Sequence, residues 1–569
     1  KLVSLMDQKK VKHTHSIDPQ KLYFLPLGGS EEFGINLNLY AYKGKWLAID
    51  IGIGFASHRY PGVDILVPDV RFIEERKDNL VGLVVTHAHE DHIGAVAHLW
   101  TRLGCPIYCT PFTAKVLENK FEDLQVEGYD IRLVQTNGKQ HDIGPFNLEF
   151  AEVSHSIPQT AAVLIRTPVG NIVHSADWNM DPQPVIGNGT QEGPFKKLGD
   201  EGVLAYIGDS TNAQYDGRAG SESAVEEGLK NAFAAQKGRI IITQFASNIG
   251  RMQSVLRAAQ ACGRSVCVLG RSLLKMNEAA RSVGYLKDLP AFVSEERAEH
   301  IPSDQIVYVV TGSQGESRAA LARIARGDHP ALDLRRGDSV IFSSKAIPGN
   351  EREINDVKSL IVACGAKIVD HASSKEVLHV SGHPYRDELK IMYEWTRPEI
   401  VIPVHGERVQ LEAQADWARE CKVPQVLVPI NGALIEFGEQ QARVIDHIPT
   451  GVLAVTPTGL IPGTHKSLTQ RRKLQYEGVI FVSLVVDRRG HLAADPQLTT
   501  HGLIDPSFKK ELEQVDELED EVYDILADMS PDDRSDDAFI AEEVRIGIRK
   551  LASMTFRIRP RVFVHVSRV

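Results

Sequence analysis

The sequence predicts an α/β protein of several layered sheets, and three observations carry that prediction. From Lys21 to about Thr211, short β-branched runs alternate with turn signals, each run closing on a polar cluster that holds His or Asp. From about Asn212 to Gly365, amphipathic helices alternate with buried-strand patterns. The first texture then resumes, and a separate acid-rich segment with strands of its own completes the chain.

Length agrees with several domains, because 569 residues exceed the roughly 100–200 residues of an ordinary one. The opening stretch, residues 1–20, reads as a leader without the apolar core of a signal peptide, and no apolar run is long enough to span a membrane. A cytoplasmic location is the expectation. Residues 21–211 contain "WLAIDIGIGF", "LVGLVVTH", "FNLEFAEVSH", "NIVHSADW" and "VLAYIGDS", the pattern of an α/β layer that presents chemistry on loops at strand ends. Residues 212–365 contain the helices "SESAVEEGLKNAFAAQ" and "RMQSVLRAAQACG", each followed by a strand, "RIIITQFAS" or "SVCVLGRS". Helix then strand, repeated, implies a parallel sheet with its own core. Residues 366–446 return to the first layer through "AKIVDHASSKEVLHVSGH" and "PEIVIPVHGE", and 447–569 form a linker and a small α+β module.

The six cysteines are scattered without a CxxC pair, which excludes a cysteine zinc site and a disulfide framework. A net charge of -11 repels polyanions at long range. Two local stretches run against it, Arg318 to Asp338 and Thr469 to Lys473, each a candidate nucleic-acid contact or a solvated face.

The chemistry concentrates in "THAHEDH". On extended backbone His87 and His89 point to one side, and Asp91 and His92 follow where a helix would begin. His and carboxylate are the nitrogen and oxygen ligands of zinc-like ions. Further strand ends offer His155 in "EVSHSIP", Asp177 in "VHSADW" and His405 in "IPVHGE". Singly each could be a capping Asp or a His bonded to backbone. Together the seven suffice for two ions sharing Asp177.

This order of motifs resembles the metallo-β-lactamase superfamily. The resemblance implies an αβ/βα sandwich, one ion on His87, His89 and His155, a second on Asp91, His92 and His405, and a supporting role for Asp50. The interval between Asp177 and His405 resembles the β-CASP insertion of nucleic-acid-processing members, with Asp209 in "GDST" and His379 in "LHVSGH" as its acid and His motifs. More narrowly, "PLGGSEEFGIN", "PGVDILVPD", "THAHEDHIGA", "GDSTNA", "FASNIGRM", "LGRS", "TGSQGE", "IPGNE", "HVSGH" and "PVHGE" resemble the ribonuclease J family from about Tyr23 to the C-terminus. Pro384, Tyr385, Arg386 and Asp387 depart from that family's pattern after "HVSGH".

The resemblance implies a metal-dependent ribonuclease of RNA maturation and decay, trimming 5′-monophosphorylated single strands 5′ to 3′, with endonucleolytic entry as a second mode. Two zinc ions are implied, manganese being the alternative, and a dimer or tetramer assembled through the C-terminal domain. Paired cations about 3.5–4 Å apart activate water and neutralise phosphoryl charge. Asp177 is expected to orient the attacking water, and His379 paired with Asp209 to protonate the leaving oxygen. Ser381 and His383 are expected on the terminal phosphate, Arg271 and Arg251 on phosphates, Phe245 stacked on a base, and Ser247 among the substrate-binding residues. Two other classes compete: a small-molecule thioester or lactone hydrolase, which needs no insert of this size, and a silent scaffold, which would have lost ligands.

Overall fold

The alternation in Leu22–Gly28, with Leu22 and Phe24 on one face, makes this segment a strand of the first sheet. The computed structural model describes residues 17–347, 349–438, 441–505 and 507–569; of the expected leader, residues 1–16 lie outside the described residues. Among the described residues the first sheet has eight strands, in the order Ala442–His447, Ala433–Phe437, Leu22–Gly28, Leu37–Tyr42, Lys45–Ile49, Leu80–Val84, Ile107–Cys109 and Ile131–Leu133. A seven-stranded sheet faces it, ordered Gln425–Val426, Ile400–Val404, Ala205–Asp209, Gly170–His174, Ala161–Thr167, Phe146–Glu152 and Asn137–Ile143.

One core joins the two. Leu22, Phe24, Leu47, Ile49 and Val84 of the first sheet pack with Leu148, Phe150, Val163, Ile165, Ile207 and Ile402 of the second. The intervening residues Ala162, Leu164, Val173, Tyr206 and Val401 face the other way and are buried under Phe195, Leu198, Leu389 and Met392 of helices Glu192–Glu201 and Arg386–Thr396. Buried on both faces, these strands read as continuous apolar runs, as strands covered by helices do.

Parallel pairing decides where the chemistry falls. Strands Gly170–His174, Ala205–Asp209 and Ile400–Val404 run parallel side by side, so Asp177, Asp209 and His405 emerge together at their carboxyl ends. In the facing sheet Lys45–Ile49 and Leu80–Val84 are also parallel, and they deliver Asp50 and His87. Carboxyl ends of parallel strands are where α/β sheets gather ligands.

The helix–strand interval forms a second layer. Its all-parallel sheet runs Ser265–Leu269, Ile306–Val310, Ile240–Thr243, Ser339–Phe342 and Lys367–Val369, around Ile241, Leu269, Tyr308, Val310 and Val340. Glu388 ties this layer to the sandwich. Fully buried, its carboxylate accepts hydrogen bonds from the backbone N–H of Met180, Ala219 and Tyr385 at 2.8–3.1 Å.

The chain divides into two compact units. One comprises Ile65–Leu453 with the chain up to Phe55, the other Ala56–Asp64 with Ala454–Val569. In the second unit strand Val479–Val486 pairs antiparallel with Gln497–His501 and parallel with Arg561–Arg568. Helices Lys509–Asp528 and Asp537–Thr555 cover it through Leu518 and Val522 and through Ile540, Val544, Ile548 and Ala552, apolar positions repeating every fourth residue. No helix among the described residues is long and apolar enough to cross a membrane.

One expected RNA contact proves structural. Arg251, in helix Ile249–Ala261, is fully buried. Its guanidinium pairs with Glu222 at 2.7 Å and donates to the Ser343 carbonyl and hydroxyl and to the Leu378 carbonyl. With its donors engaged and no exposed surface, it cannot reach a phosphate of bound RNA. Arg251→Ala would leave the largely buried Glu222 without its cation, so a loss of about 3–5 kcal/mol is expected, read as an earlier denaturant midpoint.

Candidate metal centre

"THAHEDH" sits at the end of strand Leu80–Val84 and runs into the short helix Glu90–Ile93. Asp50, 1% exposed, organises it. Its carboxylate accepts from the Thr86 backbone N–H at 2.8 Å, from Thr86 Oγ1 at 2.9 Å and from His92 Nδ1 at 2.7 Å. His92 Nε2 is thereby turned to the cluster, and the supporting role expected of Asp50 is visible in these contacts.

Three sets of ligand atoms converge. His87, His89, His155 and Asp177 form one, Asp91, His92, Asp177 and His405 a second, and Asp177, Asp209, His383 and His405 a third, with the atoms of each set within 4.8 Å of one another. Asp177 belongs to all three. Its Oδ2 lies 3.2 Å from His92 Nε2, 3.5 Å from His405 Nε2, 3.7 Å from His87 Nε2, and 3.9 Å from His155 Nε2 and His383 Nδ1.

The protonation states of the first set suit a cation. Burial, then neighbouring imidazoles, hold His87 well below the ordinary histidine range and bring His89 to about 3 and His155 to about 4. All three are neutral, the form that ligates. Their nitrogens nevertheless converge: His89 Nδ1 is 3.1 Å from His87 Nε2 and 3.0 Å from His155 Nε2. His155 Nδ1 donates to the Gly382 carbonyl at 2.7 Å, so the lone pair of its Nε2 faces inward. Neutral nitrogens converging on ionised Asp91 and Asp177 fit divalent metal, with nitrogen and oxygen donors of the zinc type.

Backbone shape contributes. Asp50, Ala176 and His405 all have φ between +53° and +61°, the left-handed region that a side chain seldom occupies, and each sits where a strand end is bent toward the centre. Two positions went unassigned in the sequence. Asn36 of "EFGIN" is buried; its Nδ2 donates to the Asp91 carbonyl at 2.8 Å, and His405 Nδ1 donates to its Oδ1 at 3.1 Å. Gly52 of "DIGIG" packs so closely that a Cβ would lie 1.6 Å from the Asp91 carbonyl oxygen. An Asn and a Gly in turn-rich stretches were the available signals, and neither is specific. Glu90 turns away from the centre to pair with Lys120 at 2.6 Å.

The expected Asp209–His379 pair does not form. Asp209 Oδ2 accepts instead from His383 Nδ1 at 2.8 Å. Burial lowers the His383 pKa, but Asp209, helped by Asp177 and Asp91, outweighs it and raises the imidazole to about 9. His379 has the opposite surroundings. Burial, then Arg251, Lys345 and His371, push it well below the ordinary range, and its buried Nδ1 has no hydrogen-bond partner among the described residues. A neutral imidazole beside cations is not a stored proton.

The remaining expected contacts are dispersed. Ser381 Oγ accepts from Asn212 Nδ2 at 2.6 Å, and the Ser381 carbonyl from Asn179. Phe245 and Ser247 are half-buried just past strand Ile240–Thr243, and Arg271 is exposed at the start of helix Arg271–Ser282. The departing residues cap a helix: Tyr385 precedes Arg386–Thr396, its ring 5.4 Å from that of Tyr215, while Arg386 pairs with Asp216.

Four family models match the chain. They are the beta-lactamase superfamily domain over residues 46–192, the ribonuclease J beta-CASP domain over 237–361, the Zn-dependent metallo-hydrolase RNA specificity domain over 371–429, and the ribonuclease J C-terminal domain over 466–569. Ribonuclease J of Sinorhizobium meliloti is 40% identical over 99% of this chain and 100% of its own length. That of Mycolicibacterium smegmatis is 35% identical over 96% and 97%. The crystal structure of a protein of unknown function from Enterococcus faecalis aligns with TM-score 0.54 at 15% identity, over 73% of this chain and all of its own, a likeness of fold alone.

Gly52→Ala should displace the Asp91 loop while leaving every ligand side chain in the sequence. Metal bound per chain, measured by elemental analysis, is expected to fall, and turnover with it by on the order of 10²-fold, the usual cost of misplacing reacting groups by about 1 Å.

Proposed function

This chain belongs to the ribonuclease J family and is a metal-dependent ribonuclease, and we propose that it shortens RNA 5′ to 3′ from monophosphorylated ends. Its architecture is a metallo-β-lactamase fold with a β-CASP insertion and a C-terminal domain. The observation that carries the proposal is the placement of Asp177 among five imidazoles, with the Asp209–His383 pair on the same carboxylate.

In this reading two zinc ions, with manganese as the alternative, would be held by His87, His89 and His155 and by Asp91, His92 and His405, with Asp177 available to both. When bound, such ions lower the pKa of water and neutralise charge on phosphoryl oxygens. The chain's own groups do the rest. Asp177 accepts a hydrogen bond from the attacking water and orients it. His383, held through Nδ1 by Asp209, presents Nε2 and delivers its proton to the leaving 3′ oxygen. With divalent ions bound, this pKa would fall from about 9, closer to the neutral range where an acid is most effective. A cut that leaves phosphate on the downstream fragment regenerates a 5′-monophosphate end, which suits repeated trimming.

Ser381 and Ser247 are the proposed donors to that phosphate, with Phe245 stacking and Arg271 on the backbone. Endonucleolytic cleavage requires a strand threaded past the same pocket. Self-association belongs to the C-terminal unit, where the stacked rings of Phe481 and Phe563, 5.4 Å apart and 38% and 43% exposed, offer apolar surface to cover. All six cysteines are unpaired, which suits the reducing cytoplasm.

His383→Ala should lower turnover of RNA by about 10²–10⁴-fold, the range of general acid catalysis, whereas His379→Ala should stay within a few-fold. Because an activated nitrophenyl leaving group needs no proton, a nitrophenyl phosphodiester should be cleaved by His383→Ala at close to the parent rate; equal losses on both substrates would assign His383 to metal binding instead. A time course on one RNA bearing a 5′ mono-, tri- or no phosphate tests the pocket. Mononucleotides should come from the monophosphate form alone, and internal fragments blind to the 5′ end would overturn the exonuclease reading.

A further inference from the structure

Positive charge that the active site does not use collects in the second unit. Between Val544 and Val569 there are seven Lys or Arg and no Asp or Glu, in a chain of net charge -11. Because Ile540, Val544, Ile548 and Ala552 face the core, the four-residue spacing sets Arg545 and Arg549 on the outward side of helix Asp537–Thr555. Arg545, Arg549, Lys550, Ser553 and Arg559 line a groove of about 280 Å³ that Ile546 also borders. Arg545 is partly neutralised by Glu542 at 2.5 Å. Arg549, Lys550 and Arg559 are exposed, and no ion pair with a carboxylate is found for them among the described residues. Three like charges around one concavity repel each other, so the arrangement is stabilised by an anion.

We propose that this groove is a second RNA-binding surface, gripping backbone phosphates of strands longer than the active site holds. It rests on RNA being the substrate. A chain of this net charge repels RNA at long range, and a local basic surface offsets that. Planar guanidinium groups match phosphate oxygens two at a time. The neighbouring helix favours nucleic acid over an acidic protein. Lys466–Glu477 buries only Leu468 among its residues, and its Arg472, Lys473 and the 69% exposed Tyr476 fall within one turn of each other, the mixture of cations and aromatic ring that single strands stack on. Its end meets the basic segment: the Arg561 N–H donates to the Gly478 carbonyl at 3.0 Å, and Arg561 Nε lies 3.3 Å from Glu477. In the other basic stretch read from the sequence, Arg318 to Asp338, Asp328 pairs with both Arg323 and Arg326.

The test is the full-length, metal-loaded enzyme carrying R549A/K550A/R559A. Its affinity for a single-stranded RNA of roughly thirty nucleotides should fall on the order of ten-fold, and the slope of log affinity against log salt should become shallower by about 2, at about 0.7 for each phosphate that the variant no longer neutralises. Turnover of a 5′-phosphorylated tetranucleotide should stay at the parent rate; the parent's own rate on it reports separately on the active-site reading. R549K/R559K, which keeps the charges, should retain the parent slope. Unchanged long-RNA affinity and slope would overturn the proposal, and so would a shift in native mass with affinity unchanged, which would make the groove an assembly face.

Discussion

An ionised carboxylate sealed from water has to be compensated on every open side, and Asp177, 2% exposed, imposes that requirement on the whole sandwich. Its compensation arrives from both sheets: His87 and His92 follow a strand of one, while His405 and the segment bearing His383 belong to the other. Parallel strands must therefore end at a common level, and the loops beyond them must bend inward. The left-handed backbone at Asp50, Ala176 and His405 is the local cost of that bend, of order 1–3 kcal/mol at each such position, and the packing between Leu22, Phe24, Val163 and Ile402 holds it in place.

The two histidines of "LHVSGH" show how one segment serves opposite purposes. His379 lies in the field of Arg251 and Lys345, His383 in that of Asp209, Asp177 and Asp91. Four residues apart, one is held neutral and the other charged. That difference, more than the identity of the side chains, assigns the proton donor in the proposed mechanism. It also explains why Arg251 cannot serve RNA: it props the carbonyls of Ser343 and Leu378 beneath this segment.

Much of the centre was legible because metal ligands are chemically rare and lie near strand ends, which apolar runs mark clearly. His87, His89, Asp91, His92, His155, Asp177 and His405 were all readable that way, as was the change from alternating strands to a helix–strand layer. The pairing of Asp209 was not. Residues 379, 381 and 383 alternate to the same side on extended backbone, so spacing treats both histidines alike, and only the tertiary approach of residues 209–217 selects one. Burial of Arg251 was equally hidden, since an arginine on an amphipathic helix looks alike whether it faces solvent or a buried Glu222. Asn36 and Gly52 act through carbonyl contacts with Asp91, for which sequence has no pattern.

Glu388 carries a consequence for how Asp177 and His383 stay in register. Its buried carboxylate gathers amides from the loop after Asp177, from the entry to the inserted layer and from the start of its own helix. Losing one of these donors would leave a carboxylate that water does not reach short of a partner, at a cost of about 1–3 kcal/mol. The loop after Asp177 is thereby fastened to helix Arg386–Thr396, whose start lies just beyond Ser381 and His383, so one buried charge links the placement of Asp177 to that of His383.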